Sequence, residues 1–380
     1  MGIRNLMTII KKYCPEEVYN RILDIKDIPK PQGMKINKVG VDTSLLLYKY
    51  RHASNKVSEG DSSVKKDIHI VGFINRVAFY LKANTIPIFI FDGKPPAEKD
   101  NTLKERREHR EKMEEQIVAL EDNISRFGEE EVEKVKQARS EIDSIKKNLV
   151  YVKKEHFEEI RTLLDLMGIK YFDPAKENLQ GEAEHICSTF QKRGLIDHVV
   201  TDDTDSFTFG ATSVIRSCKK GKVQHIYLND ILKGLELKYE EFVDLCILCG
   251  CDYCNTIPKV GPVSSYSAIK KYKSIEKWLE SKPTIIKYDS PEFIYFRDNY
   301  IKAREIFKKD YEYIPVSIFG DLQGSEILPN YLNEIKEDEL REFLKTKGWI
   351  DSSISKTINK LKLSRSKIDS LKIKETKVIF

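Results

Sequence analysis

The chain has 380 residues, 40 % of them hydrophobic, enough for one large packed domain or two smaller ones. Sixty-five basic residues nearly balance 60 acidic ones, so the net charge of +5 neither demands nor excludes a polyanionic partner until its distribution is read. No run of about 18 apolar residues occurs, which argues against a membrane helix, and Met1 to Lys12 lacks the sustained apolar run of a secretory signal.

The first half alternates strands with helices, the pattern of a largely parallel sheet covered on both faces. Lys38 to Val41 predicts a strand running into Asp42, and Ile86 to Phe91, an apolar run with one proline, a second running into Asp92. From Lys99 to about Leu164 the sequence is highly charged, lacks proline and has Gly128 as its only glycine, which predicts long helices. Ile117, Leu120, Ile124 and Phe127 step by three and four, and Val132, Val135, Ala138, Ile142, Ile145, Leu149 and Val152 resume the steps after Gly128. The spacing predicts an antiparallel hairpin stopped by Gly128, with arms of roughly 30 residues, each about 40 Å long at 1.5 Å per residue. Taken alone, such a hairpin is a solvated arm with no part in chemistry.

Ile169 to Phe172 and His198 to Thr201 predict two more strands, the second running into Asp202-Asp203-Thr204-Asp205. Tyr239 to Cys251 places Phe242, Leu245, Cys246 and Cys249 at helical spacing. Cys246, Cys249, Cys251 and Cys254 invite a zinc reading, but they sit on one helix and its exit rather than as two ligand pairs joined by a fold. They read as small core residues. The seven cysteines, without a secretion signal, fit reduced thiols in an intracellular protein. The final stretch, Ser352 to Phe380, carries eight basic residues against two acids, with leucines and isoleucines spaced irregularly among lysines. A helix on the core, an arm on nucleic acid and a partner-binding tail all fit that pattern.

Seven acids stand out by context: Asp42 and Asp92 at strand ends, Glu182 and Glu184 in Gly-Glu-Ala-Glu, Asp203 and Asp205 after a strand, and Asp252 in Gly-Cys-Asp-Tyr-Cys. Any one alone reads as a helix cap, a turn residue or a solvated charge. In open α/β sheets the carboxyl ends of strands face the ligand crevice, so these acids can converge. Converging, they cannot all stay ionised without binding protons or cations. No His or Cys set competes, so hard divalent ions such as Mg²⁺ or Mn²⁺ suit them, and a pair of ions about 3.5 to 4 Å apart suits phosphodiester displacement.

In order and spacing, five motifs resemble those of the XPG and flap endonuclease family, over Met1 to about residue 275: Val-Gly-Val-Asp42 followed by Tyr48; Phe-Asp92-Gly-Lys-Pro-Pro followed by Lys99 and Arg106; Gly-Glu182-Ala-Glu184; Thr-Asp-Asp203-Thr-Asp205; and Leu-Cys-Ile-Leu-Cys-Gly-Cys-Asp252-Tyr-Cys. The opening Met-Gly-Ile also looks like the family's N-terminus. The resemblance implies that the seven acids hold two Mg²⁺ ions, with Mn²⁺ as a substitute. It implies a catalytic group of Lys99, Arg106, Asp203 and Glu182, the two cations approaching the scissile phosphate from the first arm of a helical cap. Lys99 and Arg106 are two helical turns apart, which puts them on one face about 10 Å from each other. Tyr48 matches a tyrosine that stacks on the base beside the cut, and Arg76 a duplex-contacting arginine.

Ile257 to Gly261 falls where the family has a helical-hairpin loop that grips duplex phosphates around a potassium ion. The usual Gly-x-Gly appears here as Lys259-Val260-Gly261, a departure that counts against the potassium site while adding a phosphate-seeking lysine. Lys259, Gly261, Lys270 and Lys271, with Lys273 behind, are the expected duplex contacts. The tail shows no Gln-x-x-hydrophobic-x-x-aromatic-aromatic motif, so sliding-clamp binding is not expected, and the lineage reads as divergent.

The expectation is an α/β nuclease core of the PIN-like type, a mainly parallel central sheet flanked by helices. It spans 1–330, with a helical arch at 95–160 and a helical-hairpin duplex-binding region at 240–275, followed by a basic extension at 331–380. The expected activity is that of a monomeric 5′ flap endonuclease or 5′–3′ exonuclease on branched DNA, in replication, repair or recombination, in the nucleus or at a cytoplasmic replication site. A four-way-junction or 5′-exonuclease relative is one alternative, and a non-catalytic DNA-binding scaffold another; retention of all seven acids with Lys99 and Arg106 speaks against the scaffold.

Overall fold

Seven strands form one sheet among the described residues, which are 2–55, 67–128, 130–219, 221–319 and 331–376 of a computed structural model. Met1 and the last four residues of the basic tail lie outside them. The strands are Ile22–Asp24 (β1), Asn37–Asp42 (β2), Thr85–Ile90 (β3), Tyr171–Phe172 (β4), His198–Val200 (β5), Ser213–Lys219 (β6) and Lys222–Tyr227 (β7), in the order β1-β7-β6-β5-β2-β3-β4. The pairs β2–β3, β2–β5, β3–β4 and β5–β6 are parallel, whereas β6–β7 and β1–β7 are antiparallel. The expected parallel core is present, and an antiparallel edge of β1, β6 and β7 is added to it.

The period-two alternation of a strand explains how one sheet serves two cores. Ile88 and Ile90 face one cluster, with the helices Leu6–Tyr13, Ala183–Lys192, Tyr239–Cys249 and Pro291–Lys308. Phe89 and Phe91 face the other, with Ile68–Lys82, Lys154–Leu166, Glu337–Thr346 and Asp351–Thr376. Pro87 survives inside β3 for a geometric reason. The amides of Phe89 and Phe91 donate to Lys170 and Phe172 carbonyls on the β4 side, at 3.2 and 2.9 Å. Pro87 has the same parity and would face that side before the pairing with β4 begins, so its missing N–H breaks no ladder bond.

The charged segment forms an antiparallel hairpin of Asp100–Arg126 and Val132–Asn148, with Tyr151 bonded to Glu114 (2.6 Å) and Lys146 paired with Glu121 (3.0 Å). Its seam is a separate small core of Ile117, Ile142 and Leu149 with Met113, Leu120, Ile124 and Ile145. The second arm is shorter than the sequence predicts. It ends at Asn148, where the side-chain amide of Asn55 donates to the Leu149 carbonyl (2.8 Å) and the Lys146 carbonyl (3.4 Å), satisfying helix-end acceptors. The chain then re-enters the sheet domain as Lys154–Leu166, whose Ile160, Leu163 and Leu164 join the second core. The break between the arms begins at Phe127, which is extended, rather than on Gly128 alone.

The basic tail takes the first of its three readings over the described residues. Asp351–Thr376 is a helix packed on Ile68–Lys82 through Ile354, Ile358, Leu361 and Ile368. Buried Ser364 fills the slot between the last two and returns its hydroxyl to the Lys360 carbonyl (2.7 Å), which is why the apolar period looks irregular.

Candidate active site

The strand order puts β5 and β3 on either side of β2, so the acids at their carboxyl ends are neighbours. Asp42 ends β2, accepting the Leu45 amide (3.0 Å) and the Thr201 hydroxyl (2.8 Å). Asp92, just past β3, accepts the amide of Ala183 (2.9 Å), the first residue of the helix that carries Glu182 and Glu184 at its start. Asp203 accepts the Asp205 amide (3.0 Å). Gly2 packs so tightly here that a Cβ on it would lie 2.0 Å from an Asp203 oxygen. Asp252 sits on a turn closed by an antiparallel backbone β-bridge between Cys251 and Cys254, whose thiols are free; the turn leaves its helix through Gly250 at φ 101°, where a Cβ would meet Thr256 at 2.6 Å.

Crowding these carboxylates has an electrostatic cost. Burial, then repulsion from Asp92, pushes Asp42 up to about 7. Burial with the neighbouring carboxylates drives Glu184 and Asp205 well above the usual carboxylate range, and Asp92 and Asp203 also rise, chiefly through burial. Asp252 goes the other way. Burial raises it, but Lys99 and Arg106 together hold it below the ordinary value.

Those two cations come from the base of the arch. Buried Lys99 pairs with Glu182 and lies 3.0 Å from Asp252; Arg106 takes both Asp252 oxygens, at 2.8 and 2.9 Å. Burial opposes the Lys99 ammonium, yet Glu182, Glu184 and Asp252 hold its pKa above the usual lysine value. Thr102 adds a hydroxyl bond to the Asp252 carbonyl (2.9 Å), and Asn101 bonds Tyr295 (2.9 Å), so the arch is latched to the turn and to the helix Pro291–Lys308.

Among the described residues, no three His, Cys, Asp or Glu side chains are arranged as they stand to enclose an ion, and Lys99 and Arg106 occupy Glu182 and Asp252. The donor set nevertheless fits hard divalent cations. It consists of carboxylates alone, of which Asp42, Glu182, Glu184, Asp203 and Asp205 are buried, and one Asp205 oxygen is buried without a hydrogen-bond partner.

The other expected contacts scatter around this centre. Tyr48 is exposed on the helix that follows Asp42, while Arg76 is half-buried, 3.4 Å from the Tyr50 hydroxyl, in a cavity of about 470 Å³ it shares with Asp42, Lys49, His52 and Tyr80. Lys259 is exposed and holds φ at +68°, so the left-handed turn persists although glycine is gone. Gly261 caps the helix Pro262–Tyr272. Lys271 is exposed, whereas Lys270 is paired with Glu236 (2.5 Å). Sequence reasoning missed Thr102 and Tyr253, which touch the acidic centre directly; Tyr253 stood inside a quoted motif, but its reach depends on the turn.

A mainly parallel sheet with acids at its strand ends, met by Lys99 and Arg106 from the base of a two-helix arch, defines a metal-dependent nuclease architecture. Residues 1–113 match the XPG N-terminal domain and residues 177–252 the XPG I-region. The chain is 30 % identical to flap endonuclease 1 of Phytophthora infestans, covering 96 % of this chain and 89 % of that one. It is 32 % identical to flap endonuclease 1 of Entamoeba histolytica, covering 97 % and 89 %. The fold is shared with the catalytic core of Rad2 in complex with DNA substrate (TM-score 0.63, 20 % identity, covering 95 % and 100 %) and with human GEN1 in complex with Holliday junction DNA (TM-score 0.60, 18 %, covering 95 % and 77 %). The protein belongs to the XPG/flap endonuclease family of nucleases.

Proposed function

We propose that this protein hydrolyses DNA at the base of a 5′ single-stranded flap, using two Mg²⁺ ions held by Asp42, Asp92, Glu182, Glu184, Asp203, Asp205 and Asp252, with Mn²⁺ able to replace them. The observation that carries this reading is the convergence of buried carboxylates beneath Lys99 and Arg106 at the base of the arch. When bound, the ions supply Lewis-acid stabilisation of charge on the attacking and leaving oxygens. The protein's own groups do the positioning. Arg106, which now gives Asp252 a single terminal nitrogen, offers a phosphate its guanidinium fork, and Lys99 offers a point charge beside it. Tyr48 offers an exposed ring to a base next to the cut, and Lys259 and Lys271 hold duplex phosphates without reading sequence. The single strand passes beneath the arch. The protein acts as a monomer on branched DNA, in the nucleus or at a cytoplasmic replication site.

Cleavage of end-labelled 5′-flap, nicked, blunt and four-way-junction DNA in Mg²⁺, with Asp203→Ala in parallel, tests the reading. Cutting at the flap base, abolished in the variant, supports it. Preferred junction or end cutting moves the protein to a sister activity, and tight salt-sensitive binding without cleavage by the wild type leaves a scaffold.

A further inference from the structure

Glu182 is held from both sides. One carboxylate oxygen takes the Lys99 ammonium and the other takes the hydroxyl of Tyr253, which is 3 % exposed. Nothing in the catalytic reading above assigns Tyr253 a part, yet it is the residue next to Asp252 on the turn closed by Cys251 and Cys254. The turn therefore sends two consecutive side chains into the acidic centre, Asp252 toward the arch cations and Tyr253 toward Glu182.

The ring is held firmly. Tyr253 meets Phe307 edge-on, with centroids 5.2 Å apart and an interplanar angle of 74°, and Phe209 at 6.3 Å and 77°. Phe209 and Phe307 themselves meet at 5.0 Å, and His185 stacks on Phe209 at 4.6 Å and 17°. Three edge-to-face contacts in a closed triangle leave the phenol one orientation, with its only polar atom on Glu182. A carboxylate that must hold a cation gains from a fixed donor on one oxygen. The donor sets which lone pairs point inward and removes the rotamer freedom that binding would otherwise have to freeze.

We propose that Tyr253 is a positioning residue for divalent metal: its hydroxyl fixes Glu182 so that the carboxylate faces the ion site, and its phenyl ring only supports that hydroxyl. The proposal rests on the metal-dependent reading of the acidic centre, and Tyr253→Phe isolates it, because the substitution keeps the aromatic triangle and removes one oxygen. Calorimetric titration of the full chain with Ca²⁺, without DNA, is expected to show affinity lowered about tenfold in Tyr253→Phe. The Mg²⁺ concentration giving half-maximal flap cleavage should rise by a similar factor, with DNA affinity in Ca²⁺ and the metal-free melting temperature unchanged. In a Glu182→Gln background, Tyr253→Phe should add nothing to the loss of Ca²⁺ affinity, since the carboxylate it orients is gone. Equal Ca²⁺ affinity of Tyr253→Phe and wild type overturns the proposal, as does a loss that accompanies a lowered metal-free melting temperature or persists in the Glu182→Gln background. A wild type that binds Ca²⁺ but cuts no DNA would sink the flap reading while leaving this comparison intact.

Discussion

Arg106 gives one terminal guanidinium nitrogen to both Asp252 oxygens while two-fifths of its side chain is exposed, so its charge is available to a phosphate that arrives from solvent. Arg106→Ala is expected to slow single-turnover flap cleavage by about 10²- to 10³-fold, the range for removing one preorganised charge-stabilising donor. Thermal stability should barely change, because the lost pair is partly solvated. A cleavage rate within a factor of about three of wild type would remove Arg106 from the reaction. Lys259 poses a different question, since a left-handed lysine is strained by roughly 1 kcal/mol. Lys259→Gly should leave the fold as stable as before or up to about 1 kcal/mol more stable, read by denaturant unfolding, while the slope of log affinity against log salt for duplex DNA flattens by about 1. An unchanged slope would show that Lys259 touches no phosphate.

The arch is an element with its own seam, and its mutations should stay local. Ile142→Ala truncates one of three buried residues in that seam and is expected to cost about 2 to 4 kcal/mol of hairpin stability. Limited proteolysis within 100–150 should accelerate, with the melting temperature of the sheet domain unchanged; a matching drop in both would mean that arch and core unfold together. The elements also show what a linear reading can see. β2, β3 and β5 were legible because each is a short apolar run that ends on an acid, and the same acids gave the site. β1, β6 and β7 were not, because an antiparallel strand such as Lys222–Tyr227 mixes Lys222, Gln224 and His225 with apolar residues, and a bulge between Arg216 and Lys219 breaks the alternation. The shortened second arm depended on Asn55, and the orientation of Glu182 on Tyr253; both are contacts between segments far apart in sequence.

Across the whole molecule, two sets of buried groups set opposite pH trends. Asp42, raised to about 7, binds its proton more tightly when folded, so in metal-free protein its contribution to stability is present at low pH and lost as pH rises from about 4 through 7. Burial holds His225 down to about 3 and His156 to about 4, so the unfolded chain protonates first, and stability falls as pH drops below about 6.5. Metal-free melting temperature should therefore peak between these limits. Saturating Mg²⁺ or Ca²⁺ should raise it little at pH 5 and clearly at pH 8, where metal at one hundred times Kd adds about 2.7 kcal/mol of stability. An equal shift at both values would mean that metal and protons do not compete for the same carboxylates.

The arch closes around its own apolar seam and meets the acidic turn at its base, through Lys99, Thr102 and Arg106. Its span is therefore a free variable. Seven residues added to each arm in register would lengthen it by about 10 Å and leave the carboxylates where they are. On the proposed path of the single strand beneath the arch, that span acts as an adjustable gauge whose height sets the bulk of strand admitted, independently of how the cut is made.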